Sequence, residues 1–151
     1  MVDDSYLLKK FPGKGGWVYA EIPEIKQNPN NPFGWVTVKG SVDGFVLTHY
    51  KLMPMGNGRL FLPVKAAIRK KIGKDVGDMV HIILAIDETP VETPQEIIEC
   101  FDPEPPSVYK KYNALTDNQK KTYLDWIYAA KTDETKAKRI LKMIDQLSRK
   151  A

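Results

Sequence analysis

Two groups of cations are the residues of this chain best spaced to do chemistry. Arg69, Lys70 and Lys71 crowd one short segment with Lys65 and Lys74 beside them. Lys138, Arg139 and Lys142, joined by Lys136 and Arg149, recur at helical intervals further on. Clusters of this kind neutralise phosphates or carboxylates, and Arg59 could extend the first of them from a neighbouring segment. Acidic residues are interspersed, with Asp75 and Asp78 beside the first cluster, and no run reaches five like charges. The plain alternative is therefore a solvated face whose cations sit favourably near helix ends.

Other chemistry finds less support. His49 and His81 stand far apart, without a paired cysteine or a helical metal-binding spacing, so no metal site is expected and each reads as an outward or hydrogen-bonded strand residue. Cys100, the sole cysteine, lies beside Ile97 and Phe101 with no second thiol or adjacent cation to lower its pKa, and reads as a buried structural thiol. Gly13-Lys14-Gly15-Gly16 lacks the strand-then-helix setting in which glycines cradle phosphate. Asp87-Glu88 reads as a turn, and Asp133-Glu134 as acids favoured at a helix N-terminus. Trp17, Tyr19, Trp35, Phe45 and Tyr50 could form a stacking platform for bases or sugars, but small barrels fill their interiors with such rings, and core is the better assignment. Trp126 is assigned to core as well. No catalytic residue and no cofactor follow from these patterns, and the protein is expected to be no enzyme.

The elements that must position these residues change character near residue 90. Trp17 to Ile22 reads as a strand, opened by Gly15-Gly16 and closed by Pro23; Lys26 to Pro32 reads as a loop. Trp35–Val42 and Phe45–Leu52 flank Asp43-Gly44, a dipeptide suited to a tight hairpin. Gly56-Asn57-Gly58 marks a second hairpin into Arg59–Leu62, Lys65–Ile72 has helical spacing ended by Gly73, and Met79–Ile86 is an apolar strand. Beyond residue 90, Thr93-Pro94-Gln95-Glu96 reads as a capping box with proline at the first helical position. Pro103, Pro105 and Pro106 must break that helix, after which Ser107 can cap another through Tyr112. Thr116–Gln119 is a second capping box, followed by Tyr123, Trp126, Ile127 and Ala130 on one face. Thr132 opens the last helix, with Ala137, Ile140, Ile144 and Leu147 as its apolar stripe. That stripe is too wide to bury against one neighbouring helix, so the helices are expected to dock on the barrel.

The expected fold is α+β: a small β-barrel over residues 1–91, then a helical module over 92–151. At 151 residues and 42% apolar, the chain can bury a core without disulfides or metal. Its net charge of +4 keeps it soluble without calling for nucleic acid or acidic lipid. The start, Met1-Val2-Asp3-Asp4-Ser5, lacks a secretory pattern, and the longest apolar stretch, Ile82 to Ile86, is far too short to span a bilayer, so a cytoplasmic location is expected.

Trp126-Ile127-Tyr128-Ala129-Ala130-Lys131, with Glu134-Thr135-Lys136-Ala137-Lys138-Arg139-Ile140, resembles the terminal motif of the bacterial YdeI/OmpD-associated, or bacteriocin-protection, family; Lys136 stands where an arginine is more usual. Gly16-Trp17, Val38–Gly44, Leu52–Gly58 and Gly77-Asp78-Met79-Val80 resemble the small β-barrel domain of unknown function often fused to that module. The resemblance implies a role linked to bacteriocin tolerance and brings no catalytic residue or cofactor with it. Ile68 to Val80 is also similar to the stretch that AbrB-type swapped-hairpin regulators carry after an Ile-Pro strand, although Pro63 and Arg69 are two residues further apart here. That similarity implies a double-split barrel. The leading expectation is a binding-based protein, monomeric, taking a protein partner or a small anionic ligand; the alternative is an AbrB-like nucleic-acid-binding regulator.

Overall fold

The computed structural model describes residues 1–12 and 16–150, so Gly13, Lys14 and Gly15 of the glycine-rich segment lie outside the described residues. Two compact units follow one another, Met1–Asp87 and Glu88–Ala151.

The first unit is a seven-stranded antiparallel sheet rolled into a nearly closed barrel. Its strands are β1 (Val2–Leu7), β2 (Lys9–Lys10), β3 (Val18–Lys26), β4 (Val36–Val42), β5 (Phe45–Pro54), β6 (Arg59–Pro63) and β7 (Met79–Ile86), in the order β1-β7-β4-β5-β6-β3-β2. The two ends of that order are consecutive in the chain, parted by Leu8 alone. The Leu8 N–H donates to Asp78 O and its carbonyl accepts from Gly77 N, both at 2.9 Å. One bent segment thus covers both sheet edges, which a barrel must do to hide unpaired backbone groups. β5 is shared in the same way, pairing with β4 through Leu52 and with β6 at Met53 and Pro54. Ile22, Val38, Leu52, Leu60, Leu62, Ile82 and Leu84 fill the interior with no exposed surface.

Neither β1 nor β2 is apparent from strand propensity, because Asp3, Asp4 and Ser5 dilute the pattern; Val2, Tyr6 and Leu8 nevertheless supply an inward face. β3 also runs through Pro23 instead of ending there. The ladder to β6 is interrupted between Ile22 and Lys26, so Pro23 stands where no regular pairing is made. The two anticipated hairpins are present. Asp43 (φ 45°) and Gly44 (φ 83°) make the first turn, whose handedness matches the strand twist. Further along, Val38 pairs with Tyr50 but Gly40 with Leu47, leaving Lys39 opposite both Thr48 and His49. His49 takes up this bulge with a left-handed φ of 50° and is exposed.

The second unit holds α2 (Gln95–Glu99), α3 (Pro106–Asn113), α4 (Asp117–Tyr128) and α5 (Asp133–Arg149), numbered after α1 (Ala66–Ile72) of the barrel unit. The Thr116–Gln119 capping box forms fully, with Gln119 N donating to Thr116 Oγ1 at 3.1 Å and Thr116 N to Gln119 Oε1 at 3.0 Å. Thr132 also caps α5, accepting from Thr135 N at 3.2 Å, but the caps expected at Thr93 and Ser107 do not form. Pro94 and Pro105 occupy the N-cap positions of α2 and α3, their fixed φ already suited to helix entry. Thr93 Oγ1 instead meets the Tyr112 hydroxyl at 2.9 Å. α5 packs on both α3 and α4. Its buried stripe is Met143, Ile144 and Leu147 with Ile140 half-buried, while Ala137 is exposed. No helix among the described residues is long and apolar enough to cross a membrane.

Candidate functional site

Where β3 begins and β6 ends, the chain turns into α1. Val64 N donates to Val18 O at 2.8 Å, extending the sheet by one pair before Lys65 opens the helix. Ile68 anchors α1 in the barrel core, and Gly73, with φ 68°, ends it. A left-handed residue there lets Lys74 N reach Arg69 O at 3.1 Å and satisfies a terminal carbonyl. Arg69, Lys70 and Lys71 fill the last turn, where cations meet the negative end of the helix dipole.

Beside this helix lies a cleft of about 530 Å³, with walls of Trp17, Val18, Met53, Pro63 and Ala66 and with Lys65 and Arg69 along one side. Two further hollows meet Arg69 from other directions. One is lined by Lys70, Lys74 and Asp78, the other by Lys10 and Val76, and Asp75 borders both. Arg69 Nη1 donates to Asp75 Oδ1 at 3.0 Å, while the buried Arg69 Nε–H has no acceptor among the described residues. The Asp75 side chain is 73% exposed, so this pair is worth at most about 1 kcal/mol. Trp17 is 53% exposed at the rim and meets Phe61 edge-on at 6.3 Å; Phe61 in turn packs on Phe11 and Tyr19.

These positions revise the aromatic assignment. Tyr19 is buried, but Trp17 and Trp35 precede their strands, and Trp35, Phe45 and Tyr50 are only half-buried. Steric filling of the barrel is done by aliphatic side chains, leaving the larger rings at its ends and surface. The cleft also uses Trp17, Met53, Pro63 and Ala66, none of which the charge pattern singled out; residues distant in sequence meet there only through the β3–β6 pairing.

The predicted cations are not one surface. Arg59 begins β6 while Pro63 ends it, about 13 Å apart at ordinary strand rise. Arg59 Nη1 pairs with Glu21 Oε2 at 2.5 Å. Lys74 Nζ donates to Met79 O at 3.1 Å and lies 3.7 Å from Asp43 Oδ2. Lys70 and Lys71 are exposed. Lys138 pairs with Glu134 at 3.3 Å along α5, and Lys142 lies on its exposed side. Arg139 turns inward instead: Nη1 donates to Trp126 O at 2.6 Å, and the guanidinium stacks 5.4 Å from the Trp126 ring. It therefore caps the end of α4, where carbonyls lack helical partners. Trp126 is half-buried beneath it, not core. Of the histidines, His81 Nε2 meets Asp3 Oδ1 at 2.6 Å on the outer face of the barrel.

Glu96 gathers a second polar cluster within the helical unit. It accepts from the Tyr128 hydroxyl and from Lys136 Nζ at 2.7 Å, with Lys136 4.6 Å from the Tyr128 ring. Lys136, then Tyr128, holds the Glu96 carboxyl below its usual range. Burial, reinforced by Glu96, pushes Tyr128 up to about 12. Cys100 is half-buried, not fully buried as expected; burial, then Glu96 and Glu99, raises its thiol pKa, and its Sγ–H donates to Glu96 O at 3.1 Å.

An alkaline transition follows. Burial also pushes Tyr50 and Tyr123 up to about 12 from an ordinary 10. A proton held more tightly in the folded chain contributes stability in full below the unfolded value and loses it as pH rises through the folded one. The melting temperature should fall between pH 10 and 12, and absorbance titration should show Tyr50, Tyr123 and Tyr128 ionising near 12. Ionisation of all tyrosines near 10 in the folded protein would contradict the burial assigned to them.

Fold and site define a two-part α+β protein, a nearly closed antiparallel barrel with a cation-flanked cleft, followed by a helical region. The chain belongs to the family described as domain of unknown function DUF1905, whose model matches residues 7–84, and residues 90–150 match the model of the family described as bacteriocin-protection, YdeI or OmpD-associated. No curated protein matches it.

Proposed function

We propose that this protein acts by binding, without catalysing a reaction, in bacteriocin or envelope-stress tolerance. The observation that carries this reading is the cleft beside α1, which joins apolar walls to a guanidinium whose Nε–H lacks an acceptor among the described residues. Such a combination holds and orients a ligand. The raised thiol pKa of Cys100 further supports a role without chemistry, since it works against thiolate formation. In cells whose tolerance depends on this protein, Arg69→Gln should lower survival under bacteriocin challenge while leaving the protein folded and abundant. Undiminished survival would overturn the proposal.

A second reading, an AbrB-like double-split barrel that binds nucleic acid, draws support from strand sharing between the two halves and from the basic end of α1. It is the weaker one. Arg59, Arg69 and Lys74 each already face a carboxylate, and the barrel closes largely on itself from one chain, with less need of a swapped partner. Four phosphate contacts by Arg69, Lys70, Lys71 and Lys74 would give log K a slope of about −3.6 against log salt. We expect weak binding to random duplex DNA with a shallower slope. Sub-micromolar affinity at physiological salt, with the slope reduced by Arg69→Gln and Lys70→Gln, would promote the regulator.

A further inference from the structure

We propose that the cleft beside α1 takes a small amphipathic carboxylate, a flat apolar body bearing one carboxylate group, and that in the free protein Asp75, by holding Nη1, keeps the Arg69 guanidinium from presenting its Nε edge to that ligand. The inference rests on the binding function proposed above and specifies its ligand.

The volume of about 530 Å³ suits a small molecule, and the walls select its body. Met53, Pro63 and Ala66 offer hydrocarbon, and Trp17 presents an indole that is 53% exposed. An exposed ring held against Phe61 is prepared to stack on a flat partner. Hydrocarbon alone would fill such a cleft less specifically, because Lys65 and Arg69 flank it and favour an anion at that end.

Arg69 selects carboxylate by its geometry. A guanidinium and a carboxylate pair best through two parallel hydrogen bonds. Asp75 accepts a single bond, from Nη1 at 3.0 Å, while the Nε–H, which forks with Nη2, is shut from water without an acceptor among the described residues. Asp75 therefore answers the charge of Arg69 but not its fork. Its own carboxylate is 73% exposed on a turn, where water can solvate it when the pair opens. A turn of the guanidinium then presents the Nε edge to the cleft, the ligand's two oxygens accept from it, and Asp75 returns to solvent. No covalent bond forms or breaks.

The test uses the full-length protein, titrated with 2-naphthoate, its uncharged isostere 2-naphthamide, and acetate, followed by NMR at the Trp17 indole N–H and the Arg69 Nε–H. Naphthoate should move both resonances and bind at least about tenfold more tightly than the amide or acetate. Arg69→Gln should bring acid and amide to within about twofold of each other, with Arg69→Lys, which keeps the charge but not the fork, in between. Asp75→Asn removes the resident carboxylate and should tighten naphthoate binding by about threefold without changing the amide. Equal binding of acid and amide, binding of acetate as tight as naphthoate, shifts confined to other residues, weaker naphthoate binding to Asp75→Asn, or no binding of either naphthyl probe would each overturn the proposal. Those outcomes concern the ligand class alone. Undiminished bacteriocin survival of Arg69→Gln cells, by contrast, overturns the function while the naphthoate preference stands.

Discussion

Substitution of Gly40 by alanine is expected to cost the barrel about 4 kcal/mol or more, and substitution by valine to prevent its folding. Gly40 sits inside β4, paired with Leu47 on one side and Leu84 on the other, at the bulge that His49 accommodates. Its φ of 154° turns the missing side chain directly toward β7. A Cβ built there would lie 1.8 Å from the Ile83 carbonyl oxygen and 2.7 Å from its carbon. Backbone must then move, and β7 cannot retreat because it is paired with β1 as well as β4. Gly44 provides the control: its φ is 83° but no atom of the described residues lies within 4 Å of an added Cβ. Gly44→Ala should therefore cost only the conformational penalty, about 1 kcal/mol. Chemical denaturation of the full-length variants distinguishes the two, and a wild-type midpoint for Gly40→Ala would refute the close approach.

The second large effect is expected in the helical unit, at the tryptophan-isoleucine pair of the terminal motif. Ile127 has no exposed surface, and Ile127→Ala should cost about 3 kcal/mol through lost burial and the cavity left behind. Its neighbour behaves differently. Trp126 is half-buried under the Arg139 guanidinium, and its part in tying α4 to α5 is the bond from Arg139 to its backbone carbonyl. Trp126→Phe keeps that bond and a ring beneath the cation, so it should cost less than about 1 kcal/mol. Thermal denaturation ranks them; a larger loss for Trp126→Phe than for Ile127→Ala would restore the tryptophan to the core. The motif's basic residues acquire a structural meaning here, since Lys136 binds Glu96 and Arg139 caps α4.

Much of the fold was legible because its signals are local. Asp43-Gly44 and Gly56-Asn57-Gly58 specify turns through backbone sterics, and Gly73 ends α1 for the same reason. Thr116 and Gln119 cap α4 through atoms only three residues apart. Where local signals competed, the outcome was less readable. Thr93-Pro94-Gln95-Glu96 fits a capping box, yet Thr93 is drawn away by the Tyr112 hydroxyl from another helix. Periodicity found Ile144 and Leu147 on α5 but named Ala137 in place of Met143, because the neighbours α3 and α4 determine which arc of the helix is covered.

The candidate site divides along the same line. Charge spacing along the chain marked Arg69, Lys70, Lys71 and Lys74, and the glycine after them placed those residues at a helix end. By itself, then, the sequence determined a barrel followed by helices, the hairpin turns, and which short helix carries the cations. Tertiary structure alone decided that Trp17, Met53 and Pro63 meet Arg69 at one cleft, that Asp75 engages Nη1 while Nε has no acceptor among the described residues, and that Arg139 turns inward. The physical reason is range: turns, caps and periodicity act over a few residues, whereas pairing between β3 and β6 and packing between α4 and α5 bring together groups that no spacing in the chain relates.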